Sequence, residues 1–273
     1  MLPAYGAVLG VDVGGSLTRR STAVCRLSWT PSAVSWTIER CTAEPVQRRT
    51  SIERVVAGQA LLAAAFDGPL ARGFEAISRY RPAERMLTRG LGRHIGKPGQ
   101  SNTPVGRALN EQANACAGAV LSLGVLAEAR HTEAIDRFAV AEAFPSAYLG
   151  LLLGDPAAVP AVRSNRSDQY FAALAGHGTL SAIVRRFLPG RELATGPVAI
   201  TNHDDRAAFV CALTALGLAG GDYCAVGDPY DGWIILPPMS LIAPWAQGLL
   251  AANVEPGLPG AFVVRNQGAD AGL

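Results

Sequence analysis

Five carboxylates stand where this chain passes from an apolar run into a loop, or from a loop into an apolar run. Asp12 sits near the end of the run 7–13, just before Gly14 and Gly15. Asp67 follows the run 59–66 and precedes Gly68 and Pro69. Glu142 ends the run 137–142, ahead of Phe144 and Pro145. Asp204 and Asp205 open a strongly apolar stretch that runs to Leu218, behind Asn202 and His203. A charge inside a buried strand costs several kcal/mol when unpaired, so Asp12 belongs at an open sheet end. Ligands of open α/β sheets bind beyond the carboxyl ends of the strands. Acids gathered there raise one another's pKa unless a cation relieves them, and a carboxylate set without His or Cys suits Mg²⁺ or Mn²⁺. Two such ions roughly 4 Å apart activate a water and stabilise the leaving oxygen of a phosphodiester. On that reading Asp12, Asp67, Glu142, Asp204 and Asp205 are the catalytic acids, and Asp12, Asp67, Glu142 and Asp204 hold the ions. His203 is a candidate for proton transfer beside them.

Each acid also has a plainer role. Asp12 can hydrogen-bond loop amides, and Asp67 before Gly-Pro can form a turn. Glu142 can pair with an arginine. Asp204 and Asp205 can be the acids of a helix N-terminus, with Asn202 as cap and Asp205 at the third position. Gly14 and Gly15 permit φ > 0 and a close approach of phosphate to the backbone.

The elements that must position these residues follow from the apolar pattern. Residues 7–13 read as a central strand. Residues 21–29 and 33–41 alternate and are broken by Pro31-Ser32, which predicts an antiparallel meander of three strands. A short helix is expected over 50–58, and strands over 59–66 and 137–142. A long helix over 103–130 is started by Thr103 as cap and Pro104 in its first turn. A short apolar helix follows Pro145, and two helices fill 155–190, the first opening at Ser167-Asp168. Further expectations are a helix from 202 to 218, a hairpin of 223–226 with 232–236, a helix over 239–253 and a Gly/Pro-rich tail over 256–273. The order points to an α/β domain with a mixed sheet over 1–255, carrying a basic helical and loop insertion at about 71–130.

Composition narrows the class. The 273 residues are 49% hydrophobic, which suits a real core rather than disorder. Net charge is +2, which does not by itself imply nucleic acid. Twenty-four residues are basic, yet only Lys97 is a lysine, a bias that a GC-rich genome produces. Cys25, Cys41, Cys116, Cys211 and Cys224 are odd in number and include no CxxC pair, so they read as buried reduced thiols of a cytoplasmic protein. The start of the chain has no signal-peptide pattern, and no apolar run reaches membrane-spanning length, so no membrane partner is expected. Residues 71–100 are rich in arginine. Arg79, Arg81, Arg85, Arg89, Arg93 and Lys97 are the expected phosphate contacts of a nucleic-acid partner, with little aromatic interleaving to stack bases.

Several pieces together resemble the family described as predicted RNase H-like nucleases, domain-of-unknown-function family 429. They are Gly-Val-Asp-Val-Gly-Gly at 10–15, Phe-Asp-Gly-Pro-Leu at 66–70, Arg-Pro-Ala-Glu-Arg at 81–85 and Ala-Glu-Ala-Phe-Pro-Ser-Ala at 141–147. The stretch from Asn202 to Ala215 continues the set, with Val-Gly-Asp-Pro at 226–229 and Gly-Trp-Ile-Ile-Leu-Pro at 232–237. The resemblance spans nearly the whole chain in order. It implies an RNase H-like fold: a five-stranded mixed sheet, its first three strands antiparallel, with helices on both faces. It also implies that Asp12, Asp67, Glu142 and Asp204 or Asp205 form the acidic cluster. One departure stands out. RNase H-like resolvases often carry a second Asp three residues after the first on the last helix, and here that position is Ala207.

Two other functions compete with a divalent-metal-dependent nuclease. The run from Asp12 to Ser16 looks like the first phosphate loop of the sugar-kinase and actin superfamily, but no second such loop appears. A catalytically silent binding module would keep the fold and some of the acids; the loss at Ala207 favours it.

Overall fold

The computed structural model describes residues 2–70, 80–96, 98–129, 138–160 and 162–266. Its centre is β1 (Gly6–Asp12), which pairs antiparallel with β2 (Thr22–Trp29), itself antiparallel to β3 (Ala33–Cys41). On its other side β1 pairs in parallel with β4 (Ala64–Asp67), and β4 with β5 (Val140–Ala143). The meander falls where the apolar pattern puts it, whereas β4 and β5 are shorter than the expected 59–66 and 137–142 and each ends one residue later.

The sheet is wider than five strands. At one edge β6 (Glu192–Leu193) joins β3. Beyond β5 come β8 (Gly232–Leu236), β7 (Tyr223–Asp228) and β9 (Ala261–Arg265), giving the order β6-β3-β2-β1-β4-β5-β8-β7-β9. The molecule is thus α/β, with one mixed nine-stranded sheet among the described residues. β9 stands within the stretch expected only as a Gly/Pro-rich tail. Ala261, Phe262, Val263 and Val264 form a β-rich run that pairs antiparallel with β7.

Helices cover both faces. One face carries α5 (Pro145–Leu152), α6 (Arg166–Gly176), α7 (Thr179–Phe187) and α8 (His203–Gly220), packed on Val8, Cys25, Ala65 and Ala143. The other face carries α1 (Pro45–Val56) and α4 (Pro104–Ser122) over Leu9, Val11 and Phe66. Farther along that face, α2 (Pro82–Thr88), α3 (Gly92–Ile95) and α9 (Pro244–Ala252) cover Val226 and Ile234. The long helix stops at Ser122 rather than 130, and Thr103 caps it as expected, its hydroxyl accepting from Gly106 N at 3.1 Å. All five cysteines are buried and unpaired. No described helix is long and apolar enough to cross a membrane.

The element that positions the candidate site is α8. It is apolar almost all round, as a helix buried on every side must be. It lies directly on β1 because residue 10 is glycine. A Cβ there would meet Ala212 N at 2.1 Å and Ala208 O at 2.2 Å, so backbone touches backbone. That contact brings the first turn of α8 to the carboxyl end of β1.

Candidate functional site

Asp12 and Asp67 are register partners at the carboxyl ends of two parallel strands. Side chains alternate along a strand, and Val8 and Ala65 set the parity: Asp12 and Asp67 both face the α8 layer. Asp204 and Asp205 arrive from the N-terminus of α8. The Asn202 side chain caps that helix, accepting from Asp204 N at 2.9 Å and Asp205 N at 3.3 Å. Burial, then the charges of Asp67, Asp204 and Asp205, hold the Asp12 carboxyl well above its ordinary range. Burial and the charge of Glu142 push Asp67 up to about 7, against the opposing pull of His203. Asp205 is also raised by burial, with Arg40 pulling it back, and Arg40 Nε lies 3.5 Å from Asp205 Oδ1. Carboxylates driven upward in this way either share protons or hold a cation.

Glu142 takes a different place from the one expected of a ligand. It is the register partner of Phe66, one residue short of Asp67, so its side chain projects to the opposite face of the sheet. There Arg81 grips both of its oxygens, donating from Nη1 to Oε2 at 2.9 Å and from Nη2 to Oε1 at 2.6 Å. Arg81 Nε also donates to Glu84 Oε1 at 2.9 Å, and Glu84 accepts from the amide and hydroxyl of Ser101. Glu142 therefore plays the plainer of its two roles, pairing with an arginine.

The same network corrects one of the expected nucleic-acid contacts. Arg81 is 1% exposed and cannot meet a phosphate at the surface. Arg85 donates from Nη2 to Pro259 O at 2.6 Å, and Arg89 is paired with Glu255. Arg93 is exposed, with Nε 2.8 Å from His94 Nε2. Arg81 and Arg85 are thus spent within the fold, where α2 packs against β7, while Arg89 and Arg93 stay exposed. Arg79 and Lys97 lie outside the described residues.

Two cavities flank Asp67. One, of about 80 Å³, is lined by Asp12, Asp67, Ser146, Asp168, His203 and Ala207. The other, of about 110 Å³, holds Arg81, Glu84 and Glu142 on the far side of Asp67. A larger groove, of about 410 Å³, lies at the opposite end of β1 beside Tyr5 and Trp29 and contains none of the five acids.

In the first cavity two residues, Asp168 and Arg206, join His203 without having been singled out as site residues in the sequence. His203 Nδ1 lies 3.2 Å from Asp168 Oδ2, in the first turn of α6. Arg206 Nη1 holds the other Asp168 oxygen at 3.0 Å, and its Nε donates to Ile200 O at 3.0 Å. The signal was one of spacing. Arg206 stands one helical turn after His203 and so shares its face, but their partner is 38 residues from Arg206 in the chain.

Two features of the loop after β1 also differ from expectation. Neither Gly14 nor Gly15 has a positive φ. Gly14 is required by crowding, since a Cβ would lie 2.2 Å from Ser21 O, whereas Gly15 faces open space. The loop amides of Gly14, Ser16 and Arg19 are taken by Thr22, Ser21 and Ser16 hydroxyls, so they form no phosphate cradle.

The donor set fits one hard dication better than two. Asp12 and Asp67 lie side by side on one face with raised pKa values, while Asp205 turns its Oδ1 to Arg40 Nε at 3.5 Å. Ala207 supplies no ligand where a second helix acid would stand, and Glu142 is engaged elsewhere. No three His, Cys, Asp or Glu side chains among the described residues stand together as a ready ligand set. No protein-family model, no curated protein and no solved structure matches this chain.

Proposed function

We propose that this chain is a divalent-cation-dependent nuclease built on an RNase H-like sheet. The observation that carries the reading is the Asp12–Asp67 pair. Two carboxylates held side by side at the ends of parallel strands, on one face and both pushed upward in pKa, are an arrangement that a hard cation stabilises. The central order β3-β2-β1-β4-β5, with its antiparallel meander, supports the RNase H-like reading of the fold.

Asp12 and Asp67 would hold one Mg²⁺ or Mn²⁺, with Asp204 supporting it from the first turn of α8. When bound, the ion lowers the pKa of a water and stabilises the charge on a phosphodiester. The rest falls to the chain itself. The α8 N-terminus contributes the positive end of its dipole beside Asp204 and Asp205. Asp168, clamped by Arg206, fixes the His203 ring through Nδ1 and leaves Nε2 to take or give a proton in the cleft. Asp205 answers Arg40 at the rim.

A second reading, a silent RNase H-like binding module, is favoured by Ala207 and by the hold of Arg81 on Glu142. A sugar-kinase-like phosphotransferase has less behind it, because the described residues form one sheet and the loop after β1 spends its amides internally. One experiment separates the three. Single-stranded, duplex, hybrid and branched nucleic acids, and ATP with sugars, are incubated with Mg²⁺ or Mn²⁺. The nuclease reading expects cation-dependent cleavage that Asp12→Asn abolishes. Cleavage that survives Asp12→Asn, or no cleavage at all, overturns it, and ATP turnover transfers the assignment to the kinase.

A further inference from the structure

With Arg81 and Arg85 held within the fold, exposed guanidinium groups close to the acids are the better meeting point for a substrate's phosphates. The turn at residues 13–21 begins at Asp12 itself and ends at Thr22, whose neighbour Ala23 is the register partner of Asp12. Anything bound at this turn is therefore next to the acids. The turn is held in shape by short bonds. Gly14 N donates to Thr22 Oγ1 at 3.1 Å, Thr22 Oγ1 to Gly14 O at 3.2 Å, and Arg19 N to Ser16 Oγ at 2.9 Å. Ala43 N donates to Ser16 O at 2.8 Å, which ties the turn to the start of α1.

The result is a fixed loop with Arg19 and Arg20 at its tip. Both are exposed, and their guanidinium groups make no hydrogen bond or ion pair among the described residues. Arg40, the register partner of Ala23 on β3, adds a third cation, 42% exposed and turned toward Asp205 with its Nε 3.5 Å from Oδ1. Glu44 and Glu39, on the adjoining segments, are already occupied. Glu44 accepts from Val46 N and Gln47 N as the cap of α1, and Glu39 pairs with Arg54. Leu17, 65% exposed on the same loop, offers an apolar side chain to a sugar or base.

We propose that the β1–β2 turn is the nucleic-acid-contacting surface of this protein, with Arg19 and Arg20 receiving the phosphodiester backbone and Arg40 steering it toward Asp12. The inference rests on the nuclease reading and supplies the surface that reading lacked. Free guanidinium groups match phosphate oxygens in bidentate geometry. A loop pinned by its own hydrogen bonds presents them with little ordering cost.

The test is fluorescence anisotropy of the full chain with labelled single-stranded DNA, single-stranded RNA, duplex DNA and an RNA–DNA hybrid. Ca²⁺ replaces the catalytic cation, and binding is read over a salt series. Arg19→Ala/Arg20→Ala should weaken binding about tenfold and reduce the magnitude of the salt slope by about two, one for each lost phosphate contact. Arg89→Ala, whose partner is Glu255, should leave both unchanged. Binding of the double variant within about twofold of the parent at an equal slope overturns the proposal, as does a parent chain that binds none of the probes. Hydrolysis of bis(p-nitrophenyl) phosphate, which is too small to span the turn, is measured in parallel. Hydrolysis that Asp12→Asn abolishes, with binding indifferent to Arg19 and Arg20, refutes only the surface. Arginine-dependent binding without hydrolysis refutes only the chemistry.

Discussion

Replacing Arg81 by methionine removes, among others, two side-chain hydrogen bonds to Glu142, one to Glu84 Oε1 and one to Asp231 O. The two carboxylates do not suffer equally. Glu84 keeps the amide of Arg81 and both donors of Ser101. Glu142, 6% exposed, keeps only the backbone amide of Leu70. A buried charge stranded by loss of its partner costs about 3–5 kcal/mol. For a chain of this size that is a fall of roughly 10 °C in Tm. The loss must also depend on pH. Burial already raises the Glu142 pKa, and Arg81 is the main influence lowering it. Without Arg81 the folded-state pKa rises further above the unfolded value, so the folded variant binds the extra proton. Its stability then falls as pH rises through that pKa. The deficit is therefore smaller at pH 5 than at pH 8. Urea denaturation followed by circular dichroism at the two pH values reads it as a shift in midpoint at constant slope. Arg81→Met/Glu142→Gln should recover part of the loss, because no unpaired charge remains. A single variant within about 1 kcal/mol of the parent, or an equal deficit at both pH values, would refute the structural role given to this pair.

Three other perturbations follow from the site. Asp67 titrates near 7 in the fold and near 3.9 when unfolded, so the cation-free protein loses stability as pH rises from about 4 to about 7. Asp67→Asn should stabilise the cation-free chain at pH 8 and do little at pH 5, as thermal melts in a chelator will show. Gly10→Ala forces a methyl into Ala208 O and Ala212 N, and should cost the upper end of about 1–3 kcal/mol while weakening cation binding as α8 shifts; unchanged stability contradicts the direct helix-on-strand contact. Asn202→Ala strips the α8 cap and should cost about 1 kcal/mol in urea denaturation, with Asn202→Asp retaining most of it.

The central strands were legible because they are buried and β-branched, and their apolar runs end in acids. The α8 cap was legible because Asn202 stands directly ahead of a long apolar run. What escaped the sequence was direction. Glu142 ends its strand as Asp67 ends the neighbouring one, but it is one residue out of register, and a one-residue offset turns a side chain to the other face. The arginines of 81–89 look like a basic patch along the chain, yet their partners, Glu142, Pro259 and Glu255, are far from them in sequence. Asp168 was read only as the start of a helix, since nothing local announces that His203 and Arg206 will meet it. The edge strand β9 hid among glycines and prolines, because its pairing partner is set by tertiary contact and not by its own turn signals.

Titration calorimetry of the intact chain with Mn²⁺ at pH 8 reaches the core of this account. It predicts saturable binding with a stoichiometry near one, abolished by Asp12→Asn and by Asp67→Asn. An absence of binding heat, or heat that survives in Asp12→Asn, would contradict the role given to the two facing aspartates.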